Sequence, residues 1–209
     1  MSVARRDWIE LAAAVLLALA AVTTAWSSYQ ASRWNGEQAK TTGAVNKTRL
    51  EAARADDLAT SQTQVDIATF LQWVDAYAQD QTELADFYRQ RFRPEFKPAF
   101  EAWVATKPRQ TPGAPPTPFA MPEYELAAAA EADRLDAKAE ALAADVRQSI
   151  QRSTNYVLGV VLCAVALFFA GISTKLVSRE LRAGMVALGW LVFAVALAWI
   201  ASSPVSISI

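Results

Sequence analysis

Three apolar runs, at 9–25, 156–172 and 185–201, dominate what this chain can become. Their only Asp, Glu, Lys or Arg is Glu10, within the first turn of the first run. Each run is close to the roughly 20 residues that a helix needs to cross a bilayer, and flanking residues extend it. Trp8 and Trp26 bracket the first, Tyr156 opens the second, and Trp190 and Trp199 lie in the third. Rings with one polar edge suit the boundary between headgroup and hydrocarbon. A soluble chain of 209 residues has little interior in which to bury three such helices. The reading is an all-α integral membrane protein with transmembrane helices at 8–28, 156–174 and 185–203.

Arg5 and Arg6 ahead of LAAAVLLALAA, with Ala18-Leu19-Ala20 beyond, also fit a cleaved leader. The apolar run continues to Ala25, longer than most leader cores, so a retained span is expected. Short-loop charge sets the direction. Arg5 and Arg6 precede the first span, and Lys175, Arg179 and Arg182 outweigh Glu180 between the second and third. Both clusters predict a cytoplasmic location for 1–7 and 175–184. Residues 29–155 and 204–209 then fall outside the cytoplasm.

Proline partitions that large segment. All but one of the nine prolines lie between Pro94 and Pro122, and proline breaks a helix by removing a donor and clashing with the preceding turn. The expectation is two long helices in a hairpin, joined by a proline-rich elbow at 94–122. Before the elbow, Ile67, Phe70, Leu71, Val74 and Tyr77 recur at helical spacing. An unbroken helix from Trp8 to Arg93 would run about 130 Å at about 1.5 Å per residue. At least one kink is therefore expected, with Gly36 and Gly43 as weak points. Phe96, Phe100 and Trp103 predict a short amphipathic turn inside the elbow. The second long helix is expected to start at Pro122, with Glu123 and Glu125 in its first turn. Its seam is Ala128, Leu135, Ala139, Leu142, Val146 and Ile150, which supports coiled-coil-like pairing. Alanines bury little area, so a second copy of the chain is the expected source of further cover, and a homo-oligomer follows.

Enzymatic chemistry finds no foothold. The chain lacks His and has one Cys, Cys163, inside an apolar run. No phosphate-binding loop, dinucleotide turn or serine elbow is present. Asp56 and Asp57 point about 100° apart on a helix and read as solvated. The acidic stretch Asp75, Asp80, Glu83 and Asp86 also reads as a solvated face before a cation site. No catalytic residue, cofactor or metal is assigned. The net charge of -1 and a slightly acidic middle give no nucleic-acid footprint.

Arg89, Arg91, Phe92, Arg93, Phe96, Lys97 and Trp103 form a mixed basic and aromatic tip. It could dock an acidic protein or an envelope component; pairing with the Asp75–Asp86 stretch, within or between copies, is the preferred account. Thr23, Thr24, Ser27, Ser28 and Asn35 form a polar collar above the first span, which could line a pore vestibule or simply face water. Gly159, Cys163, Ala166 and Ala170 give small residues at helix-packing spacing in the second span. No ionisable carboxylate or cation occurs at 11–25, 156–174 or 185–204, which argues against coupled transport.

WSSYQASRWNGEQA, FLQWVDAYAQD, FYRQRFRPEFKPAFEAW and PPTPFAMPEY carry a resemblance that covers most of the chain, from Trp26 through the second span. Together they resemble a group of small predicted bacterial inner-membrane proteins with no assigned activity. The resemblance implies a bacterial inner-membrane setting and supplies no site residue. The expected function is a non-enzymatic, homo-oligomeric membrane scaffold or binding subunit that meets the lipid bilayer and an extracytoplasmic partner. A passive oligomeric ion or solute channel is the alternative.

Overall fold

The computed structural model describes residues 3–206, with side chains from Trp8 onward. The side chains of Arg5 and Arg6, on which the direction of insertion partly rests, lie outside the described residues, as do residues 207–209 of the C-terminal segment. The described residues are helical and contain no strand: α1 is Val3–Ala78, α2 Thr82–Gln90, α3 Lys97–Ala105, α4 Ala127–Ser173 and α5 Arg179–Ala201. A single 3-10 turn spans Pro118–Ala120. Three helices, α1, α4 and α5, are long and apolar enough to cross a membrane.

α1 passes through Gly36 and Gly43 without interruption, so no break falls at either glycine. It stops at Ala78, well before Arg93. The stop is Asp80, which takes a left-handed backbone (φ 57°); Asp is among the few residues that tolerate that region. Gln81 N–H donates to the Ala76 carbonyl at 3.0 Å and closes the turn into α2. α4 begins at Ala127 instead of Pro122. Pro122 and Glu123 make a turn closed by Tyr124 N–H on the Met121 carbonyl, residues 124–126 are irregular, and Glu95 Oε1 accepts the Ala127 N–H at the start of α4. The elbow holds α3 followed by an irregular strap, in which Gly113 (φ 86°) makes a turn that suits glycine.

The chain divides into two compact units, one of Met1–Gly43 with Leu142–Ile209 and one of Ala44–Ala141. In the first, Leu16 and Ala20 of α1 pack with Cys163, Ala166 and Ala170 of α4 and with Phe193 and Ala196 of α5. Gly189 marks a close approach of all three helices: a Cβ there would stand 2.9 Å from Leu16 Cδ2 and 3.3 Å from the Ala166 carbonyl oxygen. A Cβ on Gly159 would stand 2.8 Å from Ile200. Small residues let these backbones close, as packing between membrane helices requires. At one end Arg182 pairs with Glu10 at 3.1 Å. At the other, Gln30 Oε1 accepts the Ser206 N–H (3.1 Å) and the Tyr156 hydroxyl donates to the Pro204 carbonyl (3.2 Å). The segment after α5 is thereby folded onto α1 and α4.

In the second unit, Ala52, Ala59, Ala132, Leu135 and Ala139 are buried along the helices. Arg49 and Glu140 form an exposed ion pair across them. Most of the large apolar surface lies elsewhere, in a cluster of rings.

Candidate functional site

Phe70 of α1, Phe92 and Phe96 of the turn after α2, and Phe100 of α3 form the buried centre of the second unit. Trp73, Trp103, Phe119 and Tyr124 close around them. Phe96 and Phe100 stand four apart across the start of α3 and so share its face, Phe92 joins them from the bend before it, and Phe70 meets Phe96, Phe100, Trp103 and Phe119 edge to face. Such edge contacts are worth about 0.5–1.5 kcal/mol each beyond their burial. The proline strap is fastened over the cluster by Trp103 Nε1, which donates to the Pro115 carbonyl at 2.8 Å.

A polar network lies against these rings. Asp66 is fully buried, and its Oδ2 accepts from Arg93 Nη1 (2.8 Å) and from the Tyr124 hydroxyl (3.1 Å). Arg93 also pairs with Glu95. Asp66 Oδ1 has no hydrogen-bond partner, and neither does the buried Oε1 of Gln62, one turn earlier. Burial raises the Asp66 carboxyl above its ordinary range, opposed by the Arg93 charge and the Tyr124 hydrogen bond. Burial likewise raises the Tyr124 phenol.

The structure separates the members of the expected tip. Phe92 and Phe96 are interior, so they cannot present themselves to a partner, and Arg93 is held in the Asp66 network. Trp103 is half-buried beneath the strap. Arg89, Arg91 and Lys97 remain at the surface or near it. Arg89 reaches Glu101 (3.7 Å), Arg91 covers the Phe87 ring (3.5 Å), and Lys97 donates to the Gln90 carbonyl. Among the described residues, the ion pairs that this basic run makes within its own chain go to Asp66, Glu95 and Glu101 instead of the Asp75–Asp86 stretch.

What does open outward is a groove along Trp73 and Tyr77, which stack at 5.0 Å and 12°. Cavities of about 580 and 650 Å3 flank this pair and share Trp73, Tyr77 and Val104. Asp80, Asp86, Arg89 and Glu101 border one; Lys107, Pro108 and Arg109 border the other. Asp80 and Lys107 both hold a positive φ, a strained backbone of the kind that gathers at working sites. Among the described residues no three acidic or thiol side chains converge as metal donors.

Comparison with protein-family models, with curated proteins and with solved structures gives no match.

The collar residues divide within the first unit. Ser27 is fully buried, Thr23 and Thr24 are half-buried, and Ser28 and Asn35 are exposed. Thr24 Oγ1 donates to the Ala20 carbonyl (2.7 Å), and Asn35 Oδ1 accepts from Ser153 Oγ (2.8 Å). Gly159, Cys163, Ala166 and Ala170 all face the interior of this three-helix unit. Sequence reasoning missed Asp66, a lone acid in a polar stretch whose cation lies 27 residues later. It also missed the groove; Trp73 and Tyr77, four apart on one face, were its available signal.

Proposed function

We propose that this chain is a non-enzymatic, homo-oligomeric membrane scaffold or binding subunit of a bacterial inner membrane, with residues 29–155 on the extracytoplasmic side. One observation carries the reading. The second unit closes its own aromatic core, yet α1 leaves Ile67, Leu71 and Val74 exposed on a single face. Their four-and-three spacing is that of a helix seam that accepts another helix, and an exposed apolar row of this kind marks an interaction surface. A second copy brings the same seam and completes it. The Trp73–Tyr77 groove lies beside the row and is the surface left for a partner. The passive channel is the weaker reading, because Ser27 is buried against its own helices and the Thr24 hydroxyl bonds to its own backbone.

Light scattering of the full chain in detergent tests the seam. Wild type is expected at a multiple of its 22.7 kDa protein mass, and Leu71→Glu at a smaller multiple with unchanged helicity. Wild-type protein that stays monomeric at every concentration defeats the oligomeric reading. Thiol labelling of introduced cysteines at 110 and 180 tests direction: both reactive from the same side would defeat the arrangement across the membrane.

A further inference from the structure

The two cavities beside Trp73 and Tyr77 differ in charge. Asp80, Asp86 and Glu101 outnumber Arg89 around the first. The second, of about 650 Å3, is bordered by Lys107 and Arg109 and by no carboxylate. Its volume falls in the range of roughly 300–1,000 Å3 that small molecules occupy. Among the described residues neither cation has an ion-pair partner. The Arg109 guanidinium stands 5.8 Å from the Tyr77 ring centroid, near the outer limit of about 6 Å for such a contact. It is held loosely.

Lys107 adds a second observation. It follows Thr106, the C-cap of α3, and takes a left-handed backbone (φ 50°). Glycine is the usual residue where a helix ends this way, because a Cβ is disfavoured there. Pro108 comes next, and proline pushes the residue before it toward extended backbone. A lysine is thus kept where glycine would fit better, and it borders the cavity. Strain of this kind gathers at ligand clamps.

The wall of the cavity is aromatic. Trp73 lies between Phe70 and Tyr77 in a near-parallel stack, at 15° and 12°. Its faces are covered, so ring edge is what the stack turns outward. Ring edges are electropositive and attract the electron-rich face of another ring.

We propose that this cavity binds a small molecule that joins an aromatic body to a carboxylate. Arg109 leaves the Tyr77 ring and donates two parallel N–H groups to the carboxylate, the geometry that guanidinium favours. Lys107 supplies the second positive charge. The aromatic body stands against Trp73, Tyr77 and Val104. The acidic cavity across the stack repels the same anion, which confines it to one side. The assignment rests on the groove being a partner surface and is independent of copy number.

Calorimetric titration of the full chain in neutral detergent tests this, with 2-naphthoate as the probe and detergent alone as the blank. Wild type is expected to bind with a dissociation constant of about 1 mM or tighter. The uncharged 2-naphthalenemethanol should bind about tenfold more weakly, and the saturated decalin-2-carboxylate about threefold more weakly. Lys107→Gly should lose about tenfold in affinity while its melting temperature is unchanged or higher. Arg109→Gln should lose a similar factor, and Asp86→Asn, in the acidic cavity, should keep or gain affinity. The assignment is overturned by wild type that does not bind, by equal binding of either analogue, or by full affinity in Lys107→Gly. If Lys107→Gly fails to fold, Arg109→Gln decides in the same way. Binding by Leu71→Glu alone also overturns it, since a second copy would then fill the cavity. Light scattering of the same samples separates the two readings. An oligomeric wild type that ignores 2-naphthoate defeats this assignment alone, and a monomer that binds it defeats the oligomeric reading alone.

Discussion

Arg93 Nη1 stands 2.8 Å from Asp66 Oδ2, joining the turn after α2 to the C-terminal part of α1. Asp66 is fully buried, so Arg93 is the countercharge that makes this carboxylate tolerable. Removing one partner of a buried pair leaves an uncompensated charge. Arg93→Ala is therefore expected to lower stability by about 3 kcal/mol. Replacing both partners, as in Asp66→Asn with Arg93→Met, should be milder than the single change. Chemical denaturation of the three proteins in one detergent measures the order.

The same carboxyl predicts a pH dependence. Burial raises its folded-state pKa above 3.8, although Arg93 and Tyr124 oppose the shift. The folded chain then binds this proton more tightly than the unfolded chain. The penalty is fully present above the folded pKa and is relieved as pH falls through it toward the ordinary value. Arg93, Glu95 and Tyr124 are the titratable groups that face Asp66. Arg93→Ala should recover part of its lost stability on mild acidification, and Asp66→Asn should flatten that part of the curve. Melting temperature against pH for wild type and both variants reads this out.

The Trp103 indole is the fastening of the proline strap. Trp103→Phe keeps a ring in the cluster and deletes the donor to Pro115. A loss of about 1 kcal/mol is expected, concentrated in residues 107–117. Limited proteolysis should cut there faster while the helices remain intact.

Gly189 and Gly171 give a matched pair within the membrane unit. A side chain at Gly189 collides with Leu16 and the Ala166 backbone, whereas a Cβ at Gly171 meets nothing within 4 Å. Gly189→Val is expected to destabilise by about 1–3 kcal/mol through overpacking. Gly171→Ala should be neutral or slightly stabilising, because helix propensity improves. Thermal melting in detergent separates them.

The segment after α5 is held by Gln30 and Tyr156. Gln30→Ala should speed amide exchange at Ser206 by about tenfold, which corresponds to the loss of about one hydrogen bond. Tyr156→Phe should loosen residues 203–206 with little change in global stability. Exchange mass spectrometry of the C-terminal peptide measures both.

The sequence made some of this plain and concealed the rest for physical reasons. Uncharged apolar runs mark the three long helices because charge in hydrocarbon is costly, and prolines mark the irregular region because they cannot continue a helix. The end of α1 was hidden: Gln79, Asp80 and Gln81 contain neither glycine nor proline, and the turn depends on Asp80 taking an uncommon backbone. The alternation of bases and rings from Arg89 to Lys97 resembles an exposed tip. Phe92 and Phe96 are interior because Phe70, Phe119 and Tyr124 return from distant positions to cover them. The stacking of Arg152 on Trp34 likewise joins residues far apart along the chain.

The alanine-lined burial in the Ala44–Ala141 unit has a consequence for how that unit comes apart. Methyl groups at Ala52, Ala59, Ala132 and Ala139 contribute little cohesion per turn, while the rings gather most of it at one place. Warming should thus fray the alanine stretch first, with the rings still clasped, and a partly unzipped form should precede cooperative melting.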